Sequence, residues 1–167
     1  MRATALGALA RLGGLVEADL RAAMDDASPV VRRRAAELTA GYPPLAGALI
    51  DLLADRDGRV VEATCFALGE LGEAVRDGPA VPALSEVATA HRDPLCREAA
   101  VAALGAIGDD RGLAAILSAT GDRPAVRRRA VLALAPFDGP EVDAALQAAL
   151  ADRDWQVRQA AEDLTTS

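Results

Sequence analysis

The chain has 167 residues, enough for one domain, and is 51% hydrophobic with only 2% aromatic residues, an unusual recipe for a core that closes on itself. With 25 acidic residues against 18 basic ones, its formal charge of −7 excludes a general attraction of the whole surface to nucleic acid or to an anionic membrane. All 18 basic residues are arginine, which with the abundance of Ala, Gly, Asp and Val we read as the codon usage of a GC-rich genome.

The first stretch, MRATALGALARLGG, has an early arginine and an apolar run, as a secretory leader would. Its glycines, Arg11 and its agreement with later segments argue for a structural element instead. Alanine and leucine recur there at positions 0, 4, 7, 8 and 11 from an apolar anchor: Met1, Ala5, Ala8, Leu9 and Leu12. The same pattern returns as Val60, Thr64, Ala67, Leu68 and Leu71, and as Cys96, Ala100, Ala103, Leu104 and Ile107, which is one face of a helix. Anchors at Met1, Val31, Val60, Cys96, Val126 and Val157 are separated by 30, 29, 36, 30 and 31 residues. A period near 30 means stacked units, here 1–29, 30–58, 59–94, 95–124, 125–155 and a half-unit 156–167. Each unit carries a second helical stripe, for example Leu45, Ala48, Leu49, Leu52 and Leu53, or Val142, Ala145, Leu146, Ala149 and Leu150.

Starts and stops fit this division. Ser28-Pro29 and Asp93-Pro94 read as an N-cap before proline at the first helical position, and Asp57 and Asp154 stand in similar places. Gly13, Gly72 and Gly108 follow the last apolar residue of a first helix, where a left-handed C-cap is needed. Gly69 and Gly105 lie inside the last turn, a cost of about 1 kcal/mol each relative to alanine, which close backbone approach to the next helix would offset. The long third unit places Glu73 to Gly78 in an exposed loop. Cys65 and Cys96 sit at apolar positions and read as buried free thiols, not as a disulfide framework. No apolar run reaches the roughly 18 residues of a transmembrane helix, so we expect a soluble cytoplasmic protein.

The units resemble HEAT repeats, and more narrowly the short bacterial HEAT-like type associated with phycobilisome lyases. The resemblance is carried by VRRRAAEL at Val31, VRRRAVLAL at Val126, VRQAAEDL at Val157, the Ala-Leu-Gly phrases ending ALGELG and ALGAIG, VPAL at Val81, and LADRD at Leu53 and Leu150. It covers essentially the whole chain and implies an all-α fold: a right-handed α-α superhelix, or α-solenoid, of about five helix pairs plus a C-terminal half-repeat, eleven helices in all. It further implies that Arg32, Arg127 and Arg158, each just after an anchor, pair with turn aspartates such as Asp26, Asp55, Asp57, Asp152 and Asp154. Second helices are assigned to the concave face. The array starts at an anchor and stops after one helix of a sixth unit, so its ends are either amphipathic caps or uncovered repeat faces offering self-association.

For function, the residues outside the apolar stripes matter. On second helices these include Asp51, Glu86, Asp143 and Gln147, a smooth, mildly acidic surface suited to a basic or apolar polypeptide segment. Arg33, Arg34, Arg128 and Arg129 are surplus to the implied ladder and are candidates for a second, acidic partner surface. Trp155 lies in a turn and either packs on its neighbour or binds, while Tyr42 and Phe137 close first helices as core residues. With so few aromatics on which a base could stack, nucleic-acid binding is disfavoured. His91 is the sole histidine and reads as a loop residue, and the paired aspartates read as helix caps, so no catalytic, metal or cofactor site is assigned. We therefore expect a non-catalytic adaptor or scaffold that binds another protein or peptide through the second-helix face and inter-helix loops. The competing expectation is a lyase-type or modifying-enzyme subunit handling a bilin or other prosthetic group.

Overall fold

A computed structural model describes residues 1–166. Its α-helices are α1 (Arg2–Arg11), α2 (Glu17–Met24), α3 (Pro29–Leu38), α4 (Ala46–Leu52), α5 (Gly58–Leu71), α6 (Ala80–Ala90), α7 (Pro94–Ile107), α8 (Leu113–Ala119), α9 (Pro124–Ala133), α10 (Pro140–Leu150) and α11 (Trp155–Thr165). Short 3-10 turns join several pairs, and among the described residues there is no strand. The odd-numbered helices are the first helices of the repeats and pack on one another in series, α1 on α3 through to α9 on α11, while the even-numbered ones lie against the first helix of the following repeat, α2 on α3, α4 on α5, α6 on α7 and α10 on α11. This is the expected eleven-helix stack. No described helix is long and apolar enough to cross a membrane.

Stacking explains the composition. An inner first helix is covered on both sides, so α5 buries Val60, Val61, Thr64, Cys65, Ala67, Leu68 and Leu71, and α7 buries a matching set from Cys96 to Ile107. Burying each leucine or valine contributes about 1.5–3 kcal/mol, but only if helices come close enough to exclude water. The glycines permit that approach. A Cβ on Gly69 would lie 3.1 Å from the Cα of Ala103, and one on Gly105 would lie 2.7 Å from the Cα of Ala133 and 3.0 Å from its carbonyl oxygen. The core runs continuously from Leu6 to Val142, with a smaller cluster of Val131, Ala149, Val157, Ala160 and Ala161 under the last helix.

Local signals act as expected at most boundaries. Asp57, Asp93 and Asp154 accept the backbone N–H of Arg59, Leu95 and Gln156 at 3.0, 3.0 and 2.9 Å. Gly13, Gly72 and Gly108 all take positive φ, and the Gly108 N–H closes α7 on the Leu104 carbonyl. Ser28 holds the N-cap position of α3 without a side-chain bond; its own N–H is taken by the Asp26 carboxylate at 2.8 Å. The segment from Glu73 to Gly78 is not a free loop. It begins in the 3-10 turn Gly72–Val75, buries Val75, and sends the Arg76 guanidinium to the Ile107 carbonyl at 3.0 and 3.3 Å, capping the C-terminal end of α7. Arg111 in turn donates to the Arg76 carbonyl.

Candidate interaction surfaces

Along one edge of the stack Arg32, Arg97 and Arg127, each just after an anchor, bridge a turn aspartate and a backbone carbonyl of the preceding turn. Arg32 grips Asp55 through Nε and Nη2 at 2.6 and 2.8 Å and donates Nη1 to the Asp26 carbonyl at 2.8 Å. Arg127 grips Asp152 at 2.8 and 2.7 Å and donates to the Asp122 carbonyl at 2.9 Å. Arg97 does the same with Asp122 at 2.6 and 2.8 Å and with the His91 carbonyl at 2.8 Å. The first repeat pairs Arg2 with Asp26. Arg158 keeps only the carbonyl half of the arrangement, donating to Asp152 at 2.8 Å. The forked charge-assisted bonds hold the carboxyls of Asp55, Asp122 and Asp152 below the usual carboxylate range and raise the partner guanidiniums. Asp57, bonded by the Arg59 side chain and N–H, is lowered to about 2.

The ladder has one gap. At the third repeat the arginine position is Val61, fully buried, and the aspartate position is His91, whose Nδ1 accepts the Asp93 N–H at 3.1 Å as a carboxylate does elsewhere. Thus both ionic partners are replaced together. His91 is not merely a solvated loop residue; it occupies a structural position and lines a groove.

The second-helix face carries two open grooves. One, of about 770 Å³ between α2 and α4, is lined by Asp25, Asp26, Asp51 and Asp55 with Arg21, Arg32 and Arg56. The other, of about 440 Å³ between α4 and α6, is apolar (Ile50, Leu53, Ala83, Val87) with Glu86 and His91 at its edge. Asp51, on α4, and Glu86, on α6, therefore line successive grooves on either side of α4. Asp143 and Gln147 are exposed on α10 and line neither groove.

On the first-helix face, the surplus arginines are less free than the sequence implies. Arg33 and Arg34 both pair with Glu37, at 3.2 and 2.9 Å, and Arg129 reaches Glu98 at 3.6 Å. Helical spacing made the Glu37 pairs accessible to reading; the charge is simply shared within α3. Arg128 makes no ion pair among the described residues and lines a groove of about 200 Å³ between α9 and α11 together with Trp155, which is 64% exposed. Phe137 is buried and Tyr42 partly so, its hydroxyl donating to the Leu15 carbonyl at 3.4 Å. Phe66 is the aromatic that sequence reasoning did not single out. It is half exposed, in a groove of about 510 Å³ between α3 and α5.

Cys65 and Cys96 are buried free thiols; desolvation pushes Cys65 strongly upward and Cys96 to about 11, so both stay protonated at neutral pH. Among the described residues no group of His, Cys, Asp and Glu is placed to hold a metal ion.

Helix pairs stacked in series around a ladder of this kind define an α-solenoid of the HEAT and armadillo class. The family model for HEAT repeats matches residues 46–124 and 81–164, and the chain belongs to that family. Comparison with curated proteins finds no match. Similar solved structures include an engineered protein (21% identity, 98% of this chain and 84% of the other, TM-score 0.74) and a designed armadillo repeat protein in complex with the peptide (KR)4 (18%, 96% and 84%, TM-score 0.73). A computationally designed armadillo repeat protein for modular peptide recognition is similar at 18% identity, 96% and 84% coverage and a TM-score of 0.69. These neighbours share the fold.

Proposed function

We propose that this protein is a non-catalytic adaptor that binds a basic polypeptide segment on its second-helix face. The observation that carries this reading is the placement of Asp51 and Glu86 in consecutive grooves on either side of α4, with four carboxylates around the first of them. A side chain entering the α4–α6 groove meets apolar walls, and a guanidinium or ammonium in the α2–α4 groove can meet Asp25 and Asp51, which make no ion pair among the described residues. The repeat period sets the spacing between the two. Asp143 and Gln147 extend the same surface toward the C-terminal end. The designed neighbour bound to (KR)4 offers a parallel for alternating basic residues on a helical-repeat surface.

The test is titration of the purified chain with an alternating Lys-Arg peptide, by calorimetry at two salt concentrations. We expect salt-sensitive binding that weakens roughly tenfold or more when Asp51, Glu86 and Asp143 are all replaced by lysine. Unchanged affinity in that triple variant removes the second-helix face from the reading. Affinity capture from lysate with a nuclease-treated parallel then separates a protein partner from a nucleic-acid one. The bilin-handling alternative needs a reactive cysteine or acid, and Cys65 and Cys96 are both buried; visible absorbance of protein purified from its own source checks it.

Self-association is a second reading, favoured at one end by a specific observation. Met1, Ala5 and Leu12 occupy positions that are covered at the inner junctions, yet Met1 and Leu12 are 108% and 83% exposed and Ala5 is exposed too. At the other end Glu162 takes the place of the buried Ala36, Cys65, Val101 and Val131, so α11 presents a polar face. Light scattering of the wild type and of Leu12→Glu checks this; a wild-type monomer at high concentration overturns it.

A further inference from the structure

The first-helix face holds an interaction surface of its own, and its chemistry differs from that of the two grooves on the second-helix face. Phe66 sits six residues after its anchor, off the buried stripe. The equivalent residues in other repeats are Gly7, Glu37, Ala102, Leu132 and Asp163, so nothing in the repeat requires an aromatic ring there. The ring is 50% exposed in a sequence with only two phenylalanines, above a floor of Ala40, Ala63 and Ala67. Ala63 and Ala67 on α5 and Ala40 in the 3-10 turn that follows α3 keep the groove open instead of letting a neighbouring side chain fill it.

Its charge is defined as well. The two arginines at the rim are already engaged, Arg33 with Glu37 and Arg59 with Asp57 at 2.8 Å. Glu62 and Glu70 have no ion-pair partner among the described residues. They stand four residues before and four residues after Phe66 on the same helix, so α5 presents acid, aromatic, acid in one line with steps of roughly 6 Å.

We infer that this groove docks a cationic amphipathic helix bearing Lys or Arg, an aliphatic residue and Lys or Arg at i, i+4 and i+8. The aliphatic side chain covers Phe66 and the two cations meet Glu62 and Glu70. A helix matches the line of Glu62, Phe66 and Glu70, because its side chains at i, i+4 and i+8 recur at the same spacing. The groove is lined by alanine, phenylalanine and charged side chains, and a helix, which satisfies its own backbone N–H and C=O groups, leaves Glu62 and Glu70 for its cations. A ring that is half open to solvent above an alanine floor is also the type of anchor on which interface energy concentrates.

This surface is independent of the second-helix grooves, and the experiment separates the two. The probes are two labelled helical peptides of identical composition, one with Lys-x3-Leu-x3-Lys and one with the same lysines moved two positions round the helix. Both are titrated by fluorescence anisotropy against the full chain, against Phe66→Ser, against Glu62→Lys/Glu70→Lys, and against Asp51→Lys/Glu86→Lys. Circular dichroism and the melting midpoint verify that each variant is folded. The expected result is roughly tenfold tighter binding of the in-register peptide, lost in the first two variants and kept in the third. Equal binding of both peptides, absence of binding, or loss only in the Asp51→Lys/Glu86→Lys variant overturns the proposal.

Discussion

The junction between α5 and α7 and the junctions flanking it solve one packing problem with different chemistry. On either side, Arg32–Asp55, Arg97–Asp122 and Arg127–Asp152 tie a first helix to the turn that closes its own repeat. In the middle, Val61 and His91 stand in the same places, and Arg76 bonds from the inserted segment to the end of α7 instead. An ion pair taken out of water recovers its desolvation cost only with near-ideal geometry, so a well-packed apolar side chain can hold the same junction as well or better. What the arginine adds is a carbonyl bond to the preceding turn, which couples three successive segments through one side chain.

Forcing the central junction to use ladder chemistry is the severest way to break that comparison. Val61→Arg alone is expected to destabilise by about 3–5 kcal/mol, because it buries a charge with no carboxylate opposite. Adding His91→Asp should return about 1–3 kcal/mol of this as coupling, measured by a double-mutant cycle in urea. If the two changes are simply additive, Val61 and His91 are not the missing rung. Removing a real rung is the next largest effect. Arg127→Ala should cost about 3 kcal/mol, since Asp152 loses both of its forked bonds in a setting where the arginine is only 7% exposed.

The helix contact itself can be probed without touching charge. Gly105→Ala gains helix propensity but drives a methyl to 2.7 Å from Ala133 Cα, and we expect a net loss of about 1–3 kcal/mol. Gly69→Ala, with 3.1 Å available, should cost less; the reverse order would show that the central junction is the tighter one. The smallest effect is that of pH. Arginine holds Asp55, Asp122 and Asp152 below the ordinary carboxylate value, so their stabilisation is complete above about pH 4 and fades as pH falls through their lowered values. Asp152→Asn should flatten that acid slope in thermal melts between neutral and acidic pH.

Much of this was readable from spacing. Anchors, caps, the left-handed glycines and the glycine contacts all follow from one repeated pattern, because a stack needs only neighbour contacts and every unit states them again. The ladder was readable where the words repeat, at Arg32 and Arg127. Arg97–Asp122 escaped because its anchor is a cysteine and its turn reads TGDRP in place of an Asp-x-Asp pair. Glu73 to Gly78 looked like a loop since Arg76 finds its acceptor 31 residues away, a contact no local pattern encodes. For the surfaces, Asp51 and Glu86 were accessible as off-stripe acids, but that each belongs to a separate groove depends on how α2, α4 and α6 are spaced. Phe66 could have been found by asking which large apolar residue violates the stripe.

Trp155 is the single tryptophan, and it sits at the far end of the array beside the smaller of the two cores. Its emission is therefore a local clock, whereas far-ultraviolet dichroism averages over eleven helices. In a chain held together only by neighbour couplings, terminal units melt before central ones. The two spectroscopic curves should then part company on heating or in urea, fluorescence moving first, and the distance between their midpoints measures how far cooperativity reaches along the stack.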